Sequence, residues 1–190
     1  MKFETLGSKT IYKGRVFNLR QDEVRMPNGN LAHLDIIDHP PAVTLVPVDA
    51  EGFIWFVRQY RHATGGDILE LPAGVVEAGE APEVCALREI REEIGMSAGG
   101  IRLIGEFYEV PGYSSEYMYT YLAWDLKPDR LPGDEDEFIS VERISIKEAY
   151  QMAENGEIKD AKTLAALLLA APHLRSKVQG LLRGESDRDL

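Results

Sequence analysis

The chain has 190 residues, a formal net charge of −11 and a single cysteine. That length suits one domain, or one domain with an appendage, and can bury an ordinary core. The acidic balance argues against nucleic acid as a polyanionic partner, and the lone Cys85 rules out an intrachain disulfide and fits a reducing compartment. A small anionic substrate stays open, because a bound cation can reverse the local field. The longest apolar run, Leu164 to Ala171, is too short to span a bilayer, so no membrane partner is expected. The N-terminus has no signal-peptide core, and a cytoplasmic location is expected. His33, His39, His62 and His173 show no paired ligand spacing, which argues against zinc.

Residues 3 to 38 read as β-rich. Thr10-Ile11-Tyr12, Val16-Phe17-Asn18-Leu19 and Leu34-Asp35-Ile36-Ile37 are strand pieces, and Pro27-Asn28-Gly29-Asn30 is a turn between the last two. Such a small antiparallel sheet has little core of its own and needs another surface. His39-Pro40-Pro41 breaks the pattern. We expect an N-terminal sheet segment over 1–40, a main domain over 41–182 and a flexible polar tail over 183–190.

Ala42 to Val48 is a nearly continuous apolar strand, Asp49-Ala50-Glu51-Gly52 a turn, and Phe53 to Val57 the returning strand. Gln59-Tyr60-Arg61 ends it, and Ile68 to Leu71 leads into a loop containing Gly74 and Gly79. A helix is predicted next, with Pro82 at its first position and Gly95 ending it. Val84, Leu87, Ile90 and Ile94 recur at three- and four-residue steps and make an apolar face. Glu89, Glu92 and Glu93 fall within an arc of roughly 100° on the opposite side. Like charges at that spacing repel. Arg88 eases Glu92, four residues away, and a hard cation taking oxygen ligands would turn the cluster to use. The alternative is a solvated acidic face. Cys85 lies within this helix with no histidine near it in sequence, and reads as a packing residue.

Ile101 to Tyr108 and Tyr117 to Trp124 are strands, separated by Val110-Pro111-Gly112-Tyr113-Ser114-Ser115-Glu116. An acidic loop from Pro132 to Glu137 precedes the strand Phe138 to Ile144. Ser145-Ile146-Lys147-Glu148 is a capping box opening a helix that Asn155-Gly156 closes, and Asp160 caps a last helix to about residue 171. Strands, a helix, more strands and two helices predict an α/β fold with a mixed sheet between helical layers.

The string Gly74, five residues, Glu80, seven residues, then Arg88-Glu89-Ile90-Arg91-Glu92-Glu93-Ile94-Gly95-Met96 resembles the Nudix box, G-x5-E-x7-R-E-U-x-E-E-x-G-U, where U is aliphatic. Met96 takes the final aliphatic place. The resemblance implies an α/β/α sandwich over residues 42 to 171 and hydrolysis of a nucleoside diphosphate linked to another group. It also implies Mg2+ as cofactor, with Mn2+ as the alternative. Gln59-Tyr60-Arg61, Glu70-Leu71-Pro72-Ala73-Gly74, Pro111 to Glu116 and Asp160-Ala161-Lys162-Thr163 resemble the ADP-ribose pyrophosphatase branch. That branch implies ADP-ribose as substrate, AMP and ribose 5-phosphate as products, and a homodimer whose N-terminal sheets are exchanged.

By the same resemblance, Glu89, Glu92, Glu93, Glu137 and the Ala73 carbonyl hold metal. Arg88 orients the carboxylates, Glu135 is the general base, and Glu116 orients water or ribose. Arg61, Glu70 and Pro111 bind substrate, and Phe17 or Tyr12 stacks on adenine. Ordinary readings stand beside these: a surface salt bridge for Arg61, core packing for Phe17 and Tyr12, solvation for the loop acids, and a structural role for Glu80. Rival functions are hydrolysis of another sugar nucleotide such as GDP-mannose, and a non-catalytic module sensing ADP-ribose.

Overall fold

The turn at residues 27–30 sets the register of the first sheet. Gly29 has φ +87°, a conformation open to glycine, and its N–H donates to the Met26 carbonyl at 2.8 Å. The structure, a computed structural model, describes residues 2–133 and 138–183. In it β2 (Asn18–Arg25) pairs antiparallel with β3 (Leu31–Asp38), and β1 (Glu4–Lys13) adds to the other side of β2. Every residue of β1 is exposed. This sheet joins the rest through Ile37, which donates to the Tyr113 carbonyl and accepts from Ser115 N–H, at 2.8 and 3.0 Å.

The second sheet has the order β7-β4-β9-β8, built from β4 (Ala42–Pro47), β7 (Ala73–Val75), β8 (Met96–Tyr108) and β9 (Tyr117–Pro128). The strands β4 and β9 run parallel while the other pairs are antiparallel. Between β4 and β9 lies the long chain that a parallel pair requires. The third sheet has the order β10-β5-β6, from β5 (Phe53–Arg61), β6 (Gly66–Glu70) and β10 (Ile139–Ser145).

Every residue of β4 is buried, because both of its faces are covered. Val43 and Leu45 join Cys85, Ala86 and Ile90 of α1 (Pro82–Glu93). Val46 joins Ile146 and Ala149 of α2 (Ile146–Glu154) and Ala166, Leu167 and Ala170 of α3 (Ala161–Arg183). This is the α/β/α layering expected. Gly105 allows the close approach of α3, since a Cβ there would lie 2.7 Å from Leu169 Cδ1. No helix among the described residues is long and apolar enough to cross a membrane.

Helix ends follow their sequence signals, with two corrections. Ser145 Oγ accepts Glu148 N–H at 3.2 Å, Asp160 Oδ2 accepts Thr163 N–H at 3.0 Å, and Gly95 and Gly156 take φ of +70° past their helices. However, α3 continues past residue 171 to Arg183, with Pro172 inside it. Its apolar face explains this: Leu167, Ala170 and Leu174 are all buried, so packing carries the helix across the missing N–H. The second correction concerns α1. Val84 is 57% exposed, whereas Glu89 and Glu93 are 8% and 6% exposed. The buried face is rotated from the apolar one read by spacing and includes two of the acids.

Candidate active site

The loop after β6 and the helix α1 are built against each other. β7 pairs with β4, which places Gly74 opposite Val43 and brings the loop backbone over the side of α1. A Cβ added at Gly74 would lie 1.9 Å from the Glu89 carboxyl, so glycine is required where the loop crosses that side chain. One turn on, Glu93 Oε2 accepts Ala73 N–H at 3.0 Å. The two carboxylates that spacing placed on a helix surface therefore lie under the loop, beside the backbone of Ala73.

Arg88 braces this arrangement. Its Nε and Nη2 donate to Glu80 at 3.0 and 3.1 Å, while Nη1 reaches Glu89 Oε1 at 2.6 Å and Glu92 Oε2 at 2.8 Å. Charge-assisted bonds of this kind are strong and directional. The Glu80 hydrogen bond, opposed by burial and reinforced by Glu89 and Glu92, holds the Arg88 guanidinium well above its ordinary pKa. Glu80 in turn accepts Glu77 N–H at 3.0 Å, and the Arg88 bond keeps its carboxyl below the ordinary value. Glu80 thus ties Arg88 to the loop. Cys85 is fully buried beneath, and burial, with Glu89 adding, pushes its thiol up to about 12. A protonated thiol is no nucleophile.

A second group lies at the end of β5 and β6. Arg61 Nε and Nη2 donate to the two oxygens of Glu70, both at 2.8 Å. Lys162 also bonds Glu70. Burial opposes ionisation of Glu70, but Arg61 and Lys162 outweigh it and keep the carboxyl below its ordinary value. Glu70 is 3% exposed, with both oxygens engaged, so it is placed to hold Arg61 and not to meet a ligand directly. The Glu70 hydrogen bond, opposed by burial, raises the Arg61 pKa, and the charge of Glu93 on the box helix adds to the rise.

The other predicted residues are spread around these two groups. Pro111 is exposed, and Glu116 Oε1 lies 3.8 Å from His39 Nδ1 where the β8–β9 loop meets the N-terminal sheet. Phe17 is 40% and Tyr12 60% exposed, so the core-packing alternative does not hold within this chain. Glu135 and Glu137 lie outside the described residues. Sequence reasoning quoted Lys162 within the Asp160-Ala161-Lys162-Thr163 motif but gave it no role. It passed over Glu109, whose Oε2 is buried without a hydrogen-bond partner among the described residues. Burial, with Asp160 adding, raises the Glu109 pKa. A cleft bounded by Lys2, Glu4, Arg25 and Pro27 lies on the N-terminal sheet and holds none of the box carboxylates.

The donor set suits a hard divalent cation: carboxylates and a backbone carbonyl, with no sulfur or imidazole. Among the described residues no three acids, histidines or cysteines form a ligand group by themselves. A hard divalent cation can take one or two carboxylates and complete its shell with water and substrate phosphate, and the neighbouring Glu89 and Glu93 are of the type that requires.

A mixed sheet between helical layers, with arginine-braced carboxylates under a glycine loop, is the arrangement of a divalent-metal-dependent pyrophosphohydrolase. Comparison with known proteins agrees. Residues 38–167 match the NUDIX domain, and residues 3–33 match the nucleoside diphosphate sugar hydrolase N-terminal domain. The chain belongs to the Nudix family. It is 37% identical over 166 residues to an ADP-ribose pyrophosphatase of Bacillus subtilis strain 168, covering 86% of this chain and 90% of that one. It has the same identity and coverage with a methanol dehydrogenase activator of Bacillus methanolicus. A crystal structure of an ADP compounds hydrolase superposes with a TM-score of 0.83 at 26% identity, covering 93% of this chain and 96% of that one.

Proposed function

We propose that this Nudix protein hydrolyses the diphosphate of a nucleoside diphosphate sugar, with ADP-ribose as first substrate and Mg2+ as its metal. The observation that carries the site is the fit of Gly74 over Glu89, with Glu93 fixed by Ala73 N–H one turn on. Both carboxylates are held ready for a cation before substrate arrives. Glu89, Glu92, Glu93 and the Ala73 carbonyl would hold the metal, with Glu137 as an added ligand. A divalent ion there supplies charge neutralisation at the phosphate and lowers the pKa of a bound water.

The chain's own residues do the remaining work. Arg61 binds the diphosphate, and Arg88 fixes the carboxylate orientation from beneath. Glu116, beside His39, orients water or the distal ribose. Glu135 takes the proton of the attacking water as the P–O–P bridge breaks. For ADP-ribose the products are AMP and ribose 5-phosphate.

The active form is a homodimer with the N-terminal sheet as its contact. This rests on Ile11, Tyr12 and Leu31 of that sheet and Phe3 and Phe17 beside its strands, which are 40–60% exposed. Apolar side chains gathered in this way mark an interaction surface. In the dimer Phe17 or Tyr12 is free to stack on a base held by the neighbouring protomer.

The test is product analysis on a panel of ADP-ribose, ADP-glucose, GDP-mannose, NADH and diadenosine polyphosphates with Mg2+. AMP and ribose 5-phosphate released fastest from ADP-ribose is the expected result. Faster cleavage of another member would keep the box chemistry and overturn the substrate. Binding of ADP-ribose with no turnover of any member would favour a sensing module.

A further inference from the structure

The glycine loop is anchored from two layers. The box helix holds Ala73, and the first turn of α3 holds the residues just before it. Thr163 Oγ1 accepts Leu71 N–H at 2.8 Å and donates to Asp160 Oδ2 at 2.6 Å. Lys162 Nζ lies 3.0 Å from the same Asp160 oxygen and also donates to Glu70 Oε2. The side chains of Lys162 and Glu70 are 14% and 3% exposed, while that of Arg61 is 43% exposed. One buried carboxylate is thus shared by an enclosed ammonium and an open guanidinium.

Arg61 and Lys162 face Glu70 and Asp160, two cations with two carboxylates, and Asp160 also accepts Thr163 N–H at the first turn of α3. The Arg61 Nε and Nη2 edge is fixed by Glu70. Its Nη1 makes no hydrogen bond to a described residue.

We propose that Lys162 is a positioning residue: by sharing Glu70 it holds Arg61 in one orientation, with the Nη1 edge left for the substrate diphosphate. Lys162 itself does not touch substrate. The proposal rests on the reading of Arg61 as the diphosphate-binding residue.

Two variants separate this from a simple structural staple. Lys162→Met keeps the aliphatic stem and removes the ammonium, and Lys162→Arg restores a cation. ADP-ribose binding is measured by calorimetry in EDTA, and KM and kcat with Mg2+. In Lys162→Met, Kd and KM rise by about tenfold while kcat changes by less than about threefold, the pattern of lost uniform binding. Lys162→Arg recovers most of the affinity. A folded Lys162→Met with unchanged Kd and KM overturns the proposal. So does a fall in kcat at constant KM, or parallel loss of thermal stability and activity in both variants. Because Kd is read without metal, a wild type that binds ADP-ribose but does not cleave it defeats the hydrolysis reading and leaves this comparison intact.

Discussion

The N-terminal sheet and the box helix invert the usual surface in opposite ways. The sheet exposes aromatic and aliphatic side chains; the helix buries glutamates. Each arrangement is costly for an isolated chain. Exposed apolar area forgoes about 25 cal/mol per Å2 of burial, and a buried carboxylate must be matched by hydrogen bonds or cations. The difference is in what completes each region. Glu89 and Glu93 already have Arg88, Ala73 N–H and a glycine-lined fit, so their region is prepared from within. The first sheet is held to the main domain by backbone and Ser115 side-chain bonds over Ile37–His39, and its exposed apolar residues are what the proposed second copy would cover.

The largest break in this comparison is at the carboxylates. Glu93→Gln keeps an oxygen to accept Ala73 N–H and removes the charge. It should lower kcat on the order of 10²–10³-fold with Tm unchanged or raised, since metal assistance contributes several kcal/mol to the transition state. Chelation with EDTA should abolish the same activity. Gly74→Ala follows. Its methyl would displace the Glu89 carboxyl, an end that can swing aside, so the fold survives. Misplacing a reacting group by about 1 Å can cost about 10²-fold, and steady-state kinetics beside circular dichroism would show that loss.

Deleting residues 1 to 38 tests the other region. A monomer with weak or no activity is expected by light scattering and product assay. A truncated protein that stays dimeric and fully active would defeat the exchanged sheet. The smallest effect concerns Glu109. Its raised folded pKa means the native state binds a proton more readily than the unfolded one. Stability therefore falls as pH rises above the ordinary 4.5 through the folded value, and the penalty is absent below 4.5. A buried unsatisfied group costs about 1–3 kcal/mol, and each kcal/mol shifts Tm by about 2–4 °C at this size. Glu109→Gln should therefore raise Tm by a few degrees at neutral pH and by nothing in acid. An equal gain at both would remove the carboxylate as its cause.

Much of this was legible in the chain. The box from Gly74 to Met96, the helix caps at Ser145 and Asp160, and the turn at Asn28-Gly29 are local codes that operate within a few residues. Less legible was the side of α1 that would be buried. Periodicity ranked Val84 above Glu89 because it scores side chains by polarity. Packing chose otherwise, because β7 needed a glycine-width gap and the acids could be matched there by Arg88 and backbone N–H. The same limit hid the continuation of α3 past Pro172, where burial of Leu174 outweighs a lost hydrogen bond.

By itself the sequence determined the box, its register and the acidic character of its helix, because these depend on residue type at fixed spacing along one helix. Only the tertiary structure decided that Glu70 lies buried between Arg61 and Lys162, residues about a hundred positions apart. That meeting depends on how α3 crosses the end of β6, and no local signal in the chain encodes such a crossing.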